Sequence, residues 1–343
     1  MQKITSYDNI YQHPIFTDMN HLYSVLSSKH QNRDVLFSRR INDCLQPIID
    51  VFERYTHVMW DVAMTPEPYE KIKVPKSSKK AVLLAFSGGK DSTATAIWLK
   101  EHGYDVTLYH LVGINKTYKD EHWTAGVVAE KLGLPIVFGH CYLSGNHDYV
   151  EHPMKNMMIA NAMLQYGLQN KLTHRIAFGN FSTSTLEDDP FEVCGGDDRE
   201  MWQIYTDCIR HVIPSFQIMT PLANMKDTLD ILLQKPDIAV LCQSCIGPYR
   251  YRDYLHRNNV RKYGVQLRDK RCGSCWKCCL EYCVYADNDI YEYNEEYYKH
   301  CLDILRKTLL AEAGIKATRE EAWEHYFFYD KSESKYFKKL LTD

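Results

Sequence analysis

The chain has 343 residues, of which 45% are hydrophobic and 25% charged, and its formal net charge is −3. This length predicts about two domains, with three not excluded, and this composition excludes a disordered chain, a collagen-like repeat and a coiled coil. Because 41 basic residues are balanced by 44 acidic ones, the overall charge does not attract nucleic acid or an anionic membrane, and we expect neither as a partner.

Residues 1–75 are predicted to form a helical N-terminal extension. Within them, the apolar residues of segment 41–62 recur at the spacing of an amphipathic helix. Segment 64–80, with three prolines and a lysine-serine run, predicts a linker. The chain start lacks a basic region followed by an apolar run, and no segment has 18 consecutive apolar residues, so a cytoplasmic location without a membrane span is expected.

Residues 76–240 are predicted to form an α/β domain. An apolar run of strand length begins at Ala81, ends in the string SGGKDS and continues as a helix that stops at Gly103. The next strands are predicted at 106–112, 134–138 and 175–178, and the next helices at 117–132, 154–168 and 225–233. This alternation predicts a parallel sheet sandwiched between helices.

Residues 241–343 are predicted to form a cysteine-rich, zinc-binding region with C-terminal helices at 294–313 and 319–341. Most of the 12 cysteines of the chain lie between Cys242 and Cys283. In a reducing compartment, such clustering indicates a metal site rather than a disulfide framework.

The SGGKDS string has the composition of an anion-binding loop. Its two glycines let backbone N–H groups close around an anion at the positive end of a helix. Lysine and serine side chains add donors, and the aspartate suits Mg²⁺ binding or helix capping. The alternative is a tight strand-to-helix turn with a serine cap. The residues concerned are Ser87, Gly88, Gly89, Lys90, Asp91 and Ser92.

In its strand-loop-helix context, this string resembles the pyrophosphate loop of the N-type ATP pyrophosphatases (the PP-loop superfamily) and differs from the Walker loop. The resemblance implies an adenine nucleotide alpha hydrolase-like fold, and cleavage of ATP between its α and β phosphates with transfer of AMP to a substrate oxygen. It also implies that the end of the second strand, Leu111 to Gly113, presents backbone groups to adenine.

Cys272, Cys275 and Cys278 form a C-x-x-C-x-x-C motif, whose spacing lets three thiolates converge from one tight turn. Cys245 is predicted as the fourth ligand, with Cys242 as the alternative. Four thiolates suit a structural zinc ion, because they leave no open coordination position. An iron–sulfur cluster is the competing interpretation.

Together, the loop and the C…CGxCxxC pattern resemble the 7-cyano-7-deazaguanine synthase family over about residues 81–283. Three shorter matches occur in the expected order. The segment PMKN at 153–156 resembles the P-G-R-N segment of that family, Gly179 matches the glycine after its fourth strand, and TPL at 220–222 matches its T-P-L.

This resemblance implies a ligase that uses ATP twice on 7-carboxy-7-deazaguanine, first to form an amide and then a nitrile. The loop would hold ATP and Mg²⁺, and Gly179 would lie at the nucleotide. The implied catalytic residues are Lys90, Asp91, Lys155 and Asn156. Asp197, Asp198 and Arg199 would contact the substrate, or alternatively mark an exposed helix start with an aspartate cap.

The sequence departs from that family in the loop after Gly179, in a long arginine- and tyrosine-rich insert at 249–271 and in residues 1–75. These departures leave the acceptor open: the activated deazapurine could be joined to an amine of a partner protein, as in an antiphage defence system. The insert could attract an acidic protein surface or a nucleic-acid end, or be a solvated helix. A tRNA-modifying sulfurtransferase and a non-catalytic scaffold are further alternatives, and a homodimer is compatible with the sequence.

Overall fold

The computed structural model describes residues 11–26, 40–56, 62–74, 76, 80–113, 121–140, 152–179, 199–222, 225–243, 249–265, 267, 271–313 and 318. The strands in these parts of the chain are β1 (Ile41–Asn42), β2 (Met64–Thr65), β3 (Ala81–Ala85), β4 (Asp105–Val112), β5 (Ile136–His140), β6 (Ile176–Ala177) and β7 (Ile218–Met219). The helices are α1 (Pro14–Leu26), α2 (Gln46–Thr56), α3 (Lys90–Glu101), α4 (Glu121–Leu132), α5 (His152–Gln169), α6 (Arg199–Arg210), α7 (Met225–Leu233), α8 (Pro236–Ala239), α9 (Tyr249–Tyr263), α10 (Trp276–Asp287) and α11 (Glu295–Ala313).

Five strands form one parallel sheet in the order β5-β4-β3-β6-β7. Alternate residues of β4 enter two different cores. Leu108 belongs to a core that includes residues of α3, α4, α7, α10 and α11, whereas Tyr109 belongs to a core that includes residues of α1, α2, α5 and α6. The predicted α/β fold, a parallel sheet sandwiched between helices, is therefore confirmed.

The order of the strands determines where a ligand crevice forms. From β3 the chain moves outward to β4 and β5, and it then returns to the other side of β3 to form β6 and β7. In an open parallel sheet, such a reversal creates a crevice at the carboxyl ends of the two adjacent strands. The segments that follow β3 and β6 therefore lie side by side.

The helix predicted at 41–62 is wrong at its start. Ile41 and Asn42 instead pair with β2, and α2 begins only at Gln46. The cause is Asn42, whose Oδ1 accepts a hydrogen bond from the backbone N–H of Cys44 at 2.9 Å and caps a short 3₁₀ turn. Asparagine favours such local side-chain bonds over helix interiors.

Part of segment 64–80, which was predicted to be a linker, packs against the rest of the protein. Its first residues form β2, and Ile72 is buried, with its N–H donating to the carbonyl of Val212 at 2.9 Å. The C-terminal helix predicted at 294–313 is confirmed as α11, while the helix predicted at 319–341 lies outside the described residues. No helix in the described ranges has both the length and the hydrophobicity needed to cross a membrane.

Candidate nucleotide site and cysteine cluster

The loop between β3 and α3 has the backbone of an anion-binding turn. Gly88 has a φ of +76°, which favours glycine, and Gly89 occupies the N-cap of α3 in an extended conformation. Because glycine has no side chain to cap the helix, the N–H groups of the first turn are not covered by their own cap residue. The positive end of the helix dipole adds to this preference for an anion, so the loop fits a phosphate group.

The two serines of the loop hold its shape. The N–H of Gly89 donates to Ser87 Oγ at 3.2 Å, and Ser92 Oγ donates to the carbonyl of Gly89 at 3.3 Å. The two hydroxyl oxygens lie 3.4 Å apart. The serines therefore join the end of the strand to the first turn of the helix.

Lys90 and Asp91 form an ion pair inside the loop, with 2.6 Å between Lys90 Nζ and Asp91 Oδ1. The lysine side chain is 1% exposed and the aspartate side chain 31% exposed. Asp91 thus compensates a buried ammonium and still reaches the surface. A partly exposed carboxylate beside a loop that fits a phosphate has the donor chemistry that Mg²⁺ requires.

Two glycines allow the backbones around the loop to touch. A Cβ atom on Gly88 would lie 2.8 Å from the backbone nitrogen of Ala125 in α4, and a Cβ atom on Gly179 would lie 2.6 Å from the backbone nitrogen of Ser92. Gly179 therefore packs against the first turn of α3. Gly179 lies next to the predicted nucleotide site. Glycine is required there because the backbone of residue 179 touches the backbone of α3.

Gln243 supports the loop from a distant part of the chain, and sequence reasoning missed it. Its N–H donates to the carbonyl of Gly88 at 3.1 Å, and its Oε1 accepts from Thr124 Oγ1 at 2.8 Å. Gln243 thereby joins the loop to α4. The sequence carries no local signal for this contact.

His110, in β4, is a second residue that sequence reasoning missed. Its Nδ1 lies 2.8 Å from the carbonyl oxygen of Phe86, just before the loop. Because a carbonyl only accepts, Nδ1 carries the proton in this bond. Burial lowers the pKa of His110 to about 4, and the charge of Lys155 is among the smaller contributions in the same direction. The only sequence signal was a histidine within an apolar strand.

This pKa makes the stability of the protein depend on pH. Between pH 6.5 and 4, His110 binds a proton in the unfolded chain but not in the folded one. The free energy of unfolding should therefore fall by up to about 3 kcal/mol as the pH falls from 6.5 to 4. Above pH 6.5, His110 should contribute no pH dependence. We expect His110→Asn, which retains a donor near the Nδ1 position, to remove this part of the pH dependence in urea unfolding. His102→Asn, at an exposed histidine with the same type of bond to a carbonyl, should not. Equal slopes in the parent and in His110→Asn would contradict the assignment.

The remaining predicted nucleotide and substrate residues lie on three other elements of the fold, where the structure describes them. Leu111 is buried near the end of β4, and Gly113 follows that strand with a φ of +92°. Lys155 and Asn156 are half-buried in α5. Arg199 is the first residue of α6, but its side chain lies outside the described part, as do Asp197 and Asp198.

The three cysteines of the C-x-x-C-x-x-C motif converge. The Sγ atoms of Cys272, Cys275 and Cys278 all lie within 4.8 Å of one another. Cys272 Sγ also accepts the N–H of Ser274 at 3.3 Å and that of Cys275 at 3.2 Å. Such N–H bonds to sulfur support the thiolate form that binds a metal. The cluster therefore has the donors and the shape to hold a metal ion.

The alternative fourth ligand, Cys242, does not belong to this group of thiols. It is fully buried in the core with α10 and α11, where burial raises its pKa to about 12 and so disfavours the thiolate. Cys245, the preferred fourth ligand, lies outside the described residues.

Arg271 connects the start of the cysteine cluster with the loop, and a buried ion pair holds its side chain. Arg271 Nη1 lies 2.8 Å from Glu281 Oε2, and both side chains are almost fully buried. Arg271 Nη2 also donates to the carbonyl of Cys242, the residue before Gln243. The segment that begins the cluster is thus linked, through Cys242 and Gln243, to Gly88.

No protein-family model matches the chain. Over 62 residues it is 47% identical to the argininosuccinate synthase of Homo sapiens, a match that covers 18% of this chain and 14% of that protein. Over 81 residues it is 35% identical to the 7-cyano-7-deazaguanine synthase of Sulfolobus acidocaldarius, covering 23% and 18%. Over 60 residues it is 42% identical to the tRNA-specific 2-thiouridylase MnmA 3 of Bacteroides fragilis, covering 17% and 15%.

Among solved structures, the NMN synthetase from Francisella tularensis aligns with 70% of this chain and 89% of its own, at 13% identity and a TM-score of 0.31. A score this low supports no argument about function.

The matched segments span less than a fifth of each of these sequence relatives. All of them are proteins of the PP-loop superfamily, the superfamily that the SGGKDS loop resembles. In these matches the similarity to proteins of that superfamily is limited to short segments, which do not define the activity of the whole chain. Since synthases of two kinds and a thiouridylase match over similar lengths, the comparisons do not select a substrate.

Proposed function

We propose that this protein is an ATP-dependent ligase that adenylates the carboxylate of a 7-deazaguanine-type substrate, 7-carboxy-7-deazaguanine, and then forms an amide or a nitrile. The observation that carries the proposal is the glycine-built loop of residues 87–92 at the crevice of a parallel sheet, in a chain that also gathers three thiols in a CGxCxxC motif. The loop supports the use of ATP. The cysteine motif supports the deazaguanine substrate, because it is the second feature of that family.

The chemistry follows from the poor leaving ability of a carboxylate oxygen. A carboxylate oxygen attacks the α-phosphorus of ATP, the bond from that phosphorus to the bridging oxygen breaks, and pyrophosphate leaves. Ammonia then attacks the acyl carbon, and AMP leaves with the former carboxylate oxygen. Adenylation of the amide oxygen, followed by loss of AMP and protons, gives the nitrile.

The loop residues would stabilise the charge that develops on the phosphates. The N–H groups at the start of α3 and the ammonium of Lys90 would bind the departing pyrophosphate, and Gln243 would keep the loop in position. Asp91 would help to hold Mg²⁺, which supplies further neutralisation of phosphate charge. We assign zinc to the cysteine cluster, where it would stabilise the fold without contacting the substrate.

Three other functions share parts of this site. Ligation of the activated deazapurine to an amine of a partner protein would use the same adenylation step. A tRNA-modifying sulfurtransferase would use the same loop, and a non-catalytic scaffold would use only the fold. No contact among the described residues favours any of the three over the proposed reaction.

The test is to incubate the protein with ATP, Mg²⁺, ammonium and 7-carboxy-7-deazaguanine, and to measure AMP, pyrophosphate and the product mass. We expect Lys90→Met, which keeps the buried volume but removes the charge, to lower AMP release more than about 100-fold. Lys100→Met, at the exposed end of the same helix, should stay within about twofold of the parent.

The outcomes separate the parts of the proposal. Substrate-independent AMP release that Lys90→Met abolishes would contradict the deazapurine substrate and retain the ATP-using class. A deazapurine adduct on a partner protein, without free amide or nitrile, would favour the ligation alternative. Absence of AMP and pyrophosphate from all reactions would favour the non-catalytic scaffold.

A further inference from the structure

A cavity of about 450 Å³ lies away from the nucleotide loop, next to the cysteine cluster. Its lining comes from the C-terminal half of α9, from α11 and from the turn of the cluster. Arg261 and Lys262 bring positive charge, Asn258 and Ser274 bring polar groups, and His300 of α11 lies in the wall. Among the described residues, those that line it include no carboxylate.

The hydrogen bonds around Ser274 leave a donor for a ligand. Nδ2 of the buried Asn259 donates to Ser274 Oγ at 2.8 Å and to the carbonyl of Cys272 at 3.0 Å. Because Ser274 Oγ accepts from Asn259, its own proton is available to donate. The ring of His300 is held by stacking on Tyr263, with 5.2 Å between the ring centroids. The cavity thus places neutral hydrogen-bond donors beside two cationic side chains.

The exposed face of α9 extends this positive surface. Tyr254, Arg257, Asn258 and Arg261 follow the i, i+3, i+4, i+7 spacing and therefore share one face of the helix. Tyr254 is 58% exposed, and the whole helix carries five basic residues against one acidic residue. An exposed tyrosine among arginines is the pattern that binds the bases and phosphates of a nucleic-acid strand.

Two features of the cavity disfavour an anion, and each is weaker than the attraction by Arg261 and Lys262. The C-terminal end of α9 carries a partial charge of about −0.5, which basic residues in the last turn commonly offset. Asp303 also lies close enough to His300 to influence it electrostatically, but Lys262 and Lys307 act on the same ring with the opposite sign. The two full charges of Arg261 and Lys262 exceed the partial charge at the end of the helix. If these residues served only to neutralise the helix end, neither the cavity nor its neutral donors would be needed.

We infer that this cavity binds a phosphate group, held by Arg261 and Lys262 with Ser274 as a neutral donor. The phosphate could belong to a small phosphate ester, for which the volume is sufficient, or to a nucleic-acid strand that continues along the Tyr254 face. The net charge of the chain is negative, whereas the arginine-rich insert at 249–271 supplies positive charge locally.

The test uses two probes with the 343-residue chain at about 150 mM salt. One is a 5′-phosphorylated 12-nucleotide RNA with a 3′ fluorophore, measured by anisotropy, and the other is inorganic phosphate, measured by calorimetry. We expect Arg261→Gln/Lys262→Gln to weaken binding at least about tenfold, and Ser274→Ala about threefold without any change of charge. Lys131→Gln/Lys235→Gln, which removes two surface charges elsewhere, should bind like the parent.

Binding of the RNA that depends on Arg261, Lys262 and Ser274 would identify a strand, and binding of phosphate alone with the same dependence would identify a small ester. The inference is overturned if neither probe binds, or if the pocket variants bind like the parent with unchanged melting and metal content. It is also overturned if phosphate binding is lost in Lys90→Met and retained in Arg261→Gln/Lys262→Gln, because the phosphate would then occupy the nucleotide loop.

Discussion

Gly88→Ala is expected to lower ATP turnover more than about 100-fold, because displacement of catalytic groups by about 1 Å can cost this much. The new Cβ atom would lie 2.8 Å from the backbone nitrogen of Ala125 and 2.9 Å from the backbone carbon of Thr124. These are backbone atoms of α4, so no side chain can move to relieve the clash. The loop and α4 must separate, and Gln243, which bonds both Gly88 and Thr124, could then not keep both hydrogen bonds in their present geometry.

The positive φ of Gly88 adds a cost of about 1–2 kcal/mol that has nothing to do with the clash. Gly133→Ala is the matched control, because Gly133 has a φ of +65° and nothing within 4 Å of the added Cβ atom. Both variants should lose this conformational free energy in urea unfolding, but only Gly88→Ala should lose ATP turnover. Equal turnover in the two variants would show that the contact between the loop and α4 is not needed.

Cys275→Ser is expected to remove the bound metal and to lower the free energy of unfolding by more than about 3 kcal/mol, a fraction of the roughly 10–16 kcal/mol that structural zinc provides in small zinc-finger peptides. Cys275 is the N-cap of α10, and serine is a preferred N-cap residue. Without a metal the substitution should therefore be neutral or slightly stabilising. A large loss of stability must then come from the lost ligand.

The measurements are metal content by mass spectrometry and urea unfolding with and without a chelator. Cys44→Ser is the control, since Cys44 is half-buried and lies outside the cluster. It should retain the metal and respond to the chelator like the parent. A Cys275→Ser protein that keeps one metal ion per chain, or that unfolds like the parent, would remove the structural-metal assignment.

The order of elements in the sheet domain could be predicted from hydrophobic patterns. The strand predicted at 106–112 is β4, and the helix predicted at 225–233 is α7. The pattern failed at 41–45, where apolar spacing suggested a helix but Asn42 caps a 3₁₀ turn and its segment pairs with β2. Periodicity reports which face is buried, and it does not register a side chain that competes for backbone hydrogen bonds.

The candidate sites were predictable where their residues are neighbours in the chain. The loop and the cysteine motif each lie within seven residues, so spacing alone indicates that their groups can converge. Gln243 and His110 could not be found in this way. Each contacts the loop region from another segment, and each is an ordinary residue until the fold places it there.

By itself, the amino-acid sequence determined the alternation of strands and helices, the glycine turn of residues 87–92 that leads into α3, and the convergence of three thiols. All three depend on local backbone geometry and on burial patterns of short period. Only the tertiary structure decided that Gly179 packs on α3, that Arg271 and Gln243 link the cysteine cluster to the loop, and that α9 and α11 line a cationic pocket. These contacts join segments that are far apart in the chain, and their free energy exists only once both segments are packed against the same core.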